Sequence, residues 1–134
     1  MNTESRDERK RRGFKRFVRS FRYSCEGISY TIKNEQSIIV MFIVTILAIT
    51  IGLLLNIKAI EWVFVFLGIG MVLAFELINT SIEATIDLVS PEFHPLAKIA
   101  KDTGSAAVFL CTIISVIIGS IIFIPKILII LGIG

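Results

Sequence analysis

The chain is 134 residues long, 54% hydrophobic, and carries 14 Lys and Arg against 11 Asp and Glu, a formal charge of +3. One domain is the content expected of that length, and a mean hydropathy of +0.82 excludes an ordinary soluble protein. The pI near 9.1 does not point to nucleic acid, because the bases crowd into the first 33 residues beside an apolar remainder, and a membrane surface accounts for that better.

Residues 1–12 are too polar to pack and are expected to be a disordered basic arm. From about 13 to 33, Phe14, Phe17, Val18, Phe21, Cys25, Ile28 and Ile32 recur at spacings of three and four. Lys15, Arg16, Arg19, Arg22 and Glu26 take much of the remainder, which predicts an amphipathic helix lying on anionic lipid headgroups. No cleavable signal peptide is expected, since the first apolar run begins only after this basic segment.

Three runs are long and apolar enough to cross a bilayer. The first, expected over about 36–56, has no charge from Ser37 to Leu55. The second opens at Trp62, an expected interfacial anchor. Its uncharged part ends at Phe75 after about 21 Å of rise, so the helix must continue through Glu76, giving a span of about 61–88. The third, about 104–125, is uncharged from Ser105 to Ile124. The link Asn56 to Glu61 is short and makes the first two spans an antiparallel hairpin. The link Ser90 to Gly104 is longer and polar. Ten of the fourteen bases lie between Arg6 and Lys33, and Lys98 and Lys101 fall on the same side. The positive-inside rule therefore puts the amino terminus and second link in the cytoplasm and the carboxyl terminus outside. Cys25 and Cys111 have no metal spacing and read as ordinary.

One stripe stands out against this background. Glu76, Asn79, Glu83 and Asp87 lie at offsets of 3, 7 and 11, within an arc roughly 80° wide on one helix face. Acids at membrane depth are costly and mark function by default, and like charges this close need a cation, a proton or a basic partner. Glu35, Lys101 and Asp102 fall at the same surface. Hard carboxylate oxygens suit magnesium held together with substrate phosphates. Lysine suits phosphate, and phosphoryl transfer needs little beyond metal, cationic clamp, positioned nucleophile and base. Glu76, the deepest acid, suits a base acting on a lipid hydroxyl. The plainer readings are solvated acids at a helix end, Glu35 at a helix start, Asp102 as a cap of the third span, and His94 as a lone loop histidine.

The string Glu76-Leu-Ile-Asn79-Thr-Ser-Ile-Glu83-Ala-Thr-Ile-Asp87 resembles the Glu-x-x-Asn-Thr/Ser-Ala-Ile-Glu-x-x-x-Asp motif of prokaryotic diacylglycerol kinases. Ala100-Lys101-Asp102-Thr103-Gly104-Ser105-Ala106-Ala107-Val108 resembles that family's second motif. Gly13-Phe14-Lys15-Arg16, Tyr23-Ser24 and Gly27 are similar to its surface helix, and Asn34-Glu35 to the acid before its first span. The likeness covers roughly residues 13 to 125. It implies an all-α integral membrane protein: three transmembrane helices plus an amino-terminal amphipathic surface helix, in a homotrimeric bundle with active sites shared between subunits.

The implied activity is a magnesium-dependent transfer of the ATP γ-phosphate to a lipid hydroxyl in the bacterial cell membrane. By motif position the resemblance makes Glu76 the catalytic base and Glu35 and Glu83 the metal acids. Asn79, Lys101 and Asp102 become further active-site groups, with Lys101 on phosphate. Arg16, Tyr23 and Asp87 match positions near nucleotide or lipid. Ser81 replaces the family's usual alanine, and the Pro91-to-Pro95 stretch departs from the pattern over the nucleotide. Family members act on diacylglycerol or, in Gram-positive bacteria, on undecaprenol. The long basic arm and His94-Pro95-Leu96-Ala97-Lys98 look more like the second group, so undecaprenol is the expected acceptor and diacylglycerol the alternative. A small membrane transporter is a distant alternative, since such proteins typically use four spans and one central acid.

Overall fold

A computed structural model describes residues 3–133, and the side chains of 13–133. The described residues form four helices: α1 (Thr3–Asn34), α2 (Gln36–Leu54), α3 (Ala59–Val89) and α4 (Pro95–Ile130). They divide into two compact units, with the boundary between Asn34 and Glu35. Residues 1 and 2 of the expected disordered arm lie outside the described residues.

The first unit is α1. It starts at Thr3, earlier than the start near 13 expected from periodicity. Residues 3–12 contain no proline and are rich in Glu, Lys and Arg, all good helix formers. Phe14, Phe17 and Phe21 are exposed along it.

The second unit is a bundle of α2, α3 and α4, each long and apolar enough to cross a membrane. At about 1.5 Å per residue, the 19 residues of α2 rise about 28 Å and match a bilayer core. The 31 residues of α3 and 36 of α4 are longer than a bilayer needs, so each has turns to spare at its polar end. Large side chains such as Ile43, Leu47, Phe66, Leu110 and Ile117 are exposed, as expected where the solvent is hydrocarbon. The protein is an integral membrane protein.

α2 and α3 are joined by a tight Schellman turn. Ile57 N–H donates to Gly52 O and Asn56 N–H to Leu53 O, both at 3.2 Å. The turn puts Asn56 at φ 47°, a left-handed conformation that asparagine tolerates. Gly52 is needed beside it: a Cβ there would lie 2.8 Å from the Trp62 ring. Trp62, expected as an interfacial anchor, is half-buried under this turn and stacks on Phe66 at 5.4 Å.

The link before α4 is shorter than expected. α4 begins at Pro95, not near 104, and runs to Ile130 past Pro125. Pro95 takes the first helical position, where no N–H is needed, and His94 caps the end by accepting from Leu96 N–H at 3.2 Å. Leu96-Ala97-Lys98 then continues as good helix. The plainer reading of Asp102 as a cap does not hold, since His94 is the cap, and Lys98, Lys101 and Asp102 stand on a helix rather than a loop.

α3 and α4 make the main packing seam, with α2 touching both more lightly. The seam is antiparallel and is held at three levels. At the middle, Ser115 Oγ donates to Gly68 O at 3.1 Å, and a Cβ on Gly68 would lie 3.1 Å from that hydroxyl. At one end Lys126 pairs with half-buried Glu61 at 3.1 Å, while Glu61 also accepts the Lys58 N–H. At the other end Gly104 lies against Asn79. Small residues let membrane helices approach closely enough for such polar contacts.

Candidate active site

The acidic stripe lies at the Gly104 end of the seam, and burial falls along it turn by turn. Glu76 is 4% exposed and Asn79 8%; Glu83 is half-buried and Asp87 exposed. Each step of three or four residues keeps the face and raises the side chain by about 5 Å, so one stripe samples a gradient from apolar interior to open surface. The Thr80 hydroxyl donates to Glu76 O at 3.0 Å within the same helix.

Partners differ along the stripe. Ser37, in the first turn of α2, donates its hydroxyl to Glu76 Oε1. Asn79 Nδ2 donates to Glu83 Oε1 at 3.0 Å, while Asn79 Oδ1 is buried with no hydrogen-bond partner. Asp87 Oδ1 pairs with Lys101 Nζ across the α3–α4 link at 2.5 Å.

Glu35 precedes α2 and occupies its N-cap position in extended conformation, yet its side chain makes no capping hydrogen bond. Burial, then the negative charges of Glu83 and Glu76, hold its carboxyl above the usual carboxylate range. An acid held this way favours a proton or a cation, and the cluster has a use for one. Among the described residues no three His, Cys, Asp or Glu side chains converge as a closed metal cage. Glu35 and Glu83, close enough to feel each other's charge, suit a hard cation that keeps open positions for phosphate oxygens, while the unpartnered Asn79 oxygen is turned to Gly104.

Of the residues singled out from the sequence, Glu35, Glu76, Asn79 and Glu83 come together, and Lys101 meets the end of the stripe through Asp87. Asp102 is exposed and pairs with Lys98 one turn back. Arg16 and Tyr23 lie on α1, where the Arg22 guanidinium sits 5.6 Å from the Tyr23 ring centroid. Two residues were not expected as parts of the site. One is Ser37. The other is Gly104, where a Cβ would meet Asn79 Oδ1 at 2.5 Å, so only glycine lets α4 pass that close. Nothing local marks Ser37, because its partner is 39 residues away.

An apolar groove of about 550 Å³ runs between the three spans, lined among others by Ser37, Val40, Val44, Val65, Val72 and Phe123. Ser37 thus touches both the groove and the deepest acid.

A three-span membrane bundle with acids and lysines gathered at one end of an apolar groove defines a membrane enzyme acting on lipid. The chain belongs to the prokaryotic diacylglycerol kinase family, which it matches over residues 22–123. It is 39% identical to the undecaprenol kinase of Bacillus subtilis, covering 92% of this chain and 98% of the relative. It is 34% identical to the diacylglycerol kinase of Escherichia coli over 78% of this chain and 86% of the relative. The diacylglycerol kinase of Helicobacter pylori is 37% identical over 73% of this chain and 77% of the relative. The protein is a lipid kinase.

Proposed function

We propose that this kinase transfers the γ-phosphate of ATP to undecaprenol, giving undecaprenyl phosphate. The observation that carries the reading is Glu76: a buried carboxylate where an apolar groove ends and a polar cluster begins. The likeness to the Bacillus subtilis undecaprenol kinase over nearly the whole of both chains supports the choice of lipid. Diacylglycerol is the second reading, favoured by the Escherichia coli and Helicobacter pylori relatives.

In this reading the lipid chain lies in the groove and its hydroxyl reaches Glu76, which takes the proton as base. The lipid oxygen attacks the γ-phosphorus, the bond to the bridging oxygen breaks, and ADP leaves with the electron pair. Glu35 and Glu83 would hold Mg2+, which neutralises phosphate charge when bound. Lys101 would take a phosphate oxygen in exchange for Asp87, with Asn79 fixing Glu83 and Asp102 fixing Lys98. Arg16 and Tyr23 serve the nucleotide or lipid from α1. Its exposed phenylalanines and basic residues suit an amphipathic helix on anionic headgroups of the bacterial plasma membrane. The acidic end faces the cytoplasm, where ATP is, and the protein works as a homotrimer with sites shared between neighbours.

The test is phosphorylation by the purified protein in mixed micelles, with magnesium, γ-labelled ATP, and undecaprenol and short-chain diacylglycerol supplied separately and in competition. Label chiefly on undecaprenol is expected. Label on diacylglycerol alone moves the enzyme to phosphatidate production, and label on neither overturns this mechanism.

A further inference from the structure

We infer that Ser37 is a positioning residue for the base: its hydroxyl holds one oxygen of the Glu76 carboxylate so that the other faces the lipid hydroxyl. The inference rests on the reading of Glu76 as base. Among the described residues most helical hydroxyls, including those of Thr50, Thr112 and Ser120, turn back to the carbonyl four residues earlier. Ser37 is in the first turn of α2, where the residue four back lies outside that helix. Its hydroxyl is free to reach across to α3, and there it donates to Glu76 Oε1.

The alternatives for that carboxylate are few. Among the described residues no other side chain donates to it. The charged groups around the cluster are Glu35 and Glu83, which repel it, and Lys101 and Lys98, which are committed to Asp87 and Asp102. A buried carboxylate beside two other acids would turn away from them unless a donor fixed it. Ser37 is that donor, and it also lines the groove. The same hydroxyl therefore sets where the acid points and where the groove ends. When the lipid O–H gives its proton to the free carboxylate oxygen, the Ser37 hydrogen bond stays on the other, and no proton passes through Ser37.

Ser37 is exposed in the single chain, so removing its hydroxyl leaves no cavity in the bundle. The experiment compares the full-length protein with its Ser37→Ala and Ser37→Thr variants, measuring kcat and KM for the lipid alcohol together with thermal inactivation. For Ser37→Ala the expected result is a kcat lowered about tenfold, about 1.4 kcal/mol of barrier, with KM unchanged. Threonine keeps the hydroxyl and is expected to recover most of the rate. Equal losses in both variants, an unchanged kcat in Ser37→Ala, or a loss confined to KM would each overturn the inference. No labelling of any lipid by the unsubstituted protein would overturn the kinase mechanism and this inference with it.

Discussion

Gly104→Ala tests the seam that builds the site. The added Cβ would start 2.5 Å from Asn79 Oδ1 and 3.6 Å from Ile82 Cδ1. To reach an ordinary contact of 3.4 Å, the Asn79 amide must retreat by about 0.9 Å, or α4 must move out by as much. A retreat of that size takes Nδ2 off Glu83 Oε1, which it meets at 3.0 Å. Overpacking of this kind costs about 1–3 kcal/mol, partly offset by the helix preference of alanine, at most about 1 kcal/mol. Gly119→Ala on the same helix is the control, because its Cβ would meet only Phe123 at 3.8 Å. The difference between the two variants removes the helix-preference contribution. Misplacing a reacting group by about 1 Å can cost on the order of 100-fold in rate. The expectation is therefore a turnover loss of that order in Gly104→Ala, with thermal inactivation several degrees below the Gly119→Ala control. Wild-type turnover and stability in Gly104→Ala would refute the close α3–α4 passage.

Further outcomes follow from the cluster of acids. Glu83→Ala is expected to raise the magnesium requirement sharply, and an unchanged magnesium titration would count against metal ligation. Glu76→Gln is expected to stop turnover while the protein stays folded, because a neutral amide accepts no proton; turnover at the wild-type rate would remove Glu76 as base. Glu35 and Glu76 meet within one chain, so mixing inactive Glu35→Ala and Glu76→Gln chains is expected to restore no activity, and rescue in well-mixed assemblies would show that the two acids of one site come from different subunits. Glu35 predicts a pH effect on stability. Its folded carboxyl is raised, first by burial and then by Glu83 and Glu76, so its contribution is fully present below the unfolded carboxylate range. It is lost as pH rises through the folded value, when the group must ionise beside two acids. In chelator, unfolding temperature should fall with rising pH more steeply in the wild type than in Glu35→Gln; equal slopes would sink that account.

Much of the site can be read along the chain because its central part is local. Glu76, Asn79, Glu83 and Asp87 share one helix, so a spacing of three and four residues is already a statement about their common face. The depth of Glu76 follows from counting rise against bilayer thickness, and the structure gives the same order as a fall in burial from Glu76 to Asp87. The start of α4 differs from its expected place for another reason. Hydropathy finds where a helix enters hydrocarbon, and it is blind to turns that continue into water. Pro95 and His94 carry that information as a start signal, and it is what puts Lys101 on a rigid element facing Asp87.

By itself the sequence determined the class of protein: three apolar spans of bilayer length, a basic amino-terminal segment, and an acidic stripe, all of them short-range patterns of hydropathy and helical period. Tertiary structure alone decided which residues from different helices meet. Ser37 finds Glu76, Gly104 admits Asn79, and Ser115 finds Gly68, each across 25 residues or more of chain. No periodicity encodes those meetings, because they depend on how far one helix slides and rotates against another. That register is set by where small residues allow backbones to approach and where a buried polar group must find a partner.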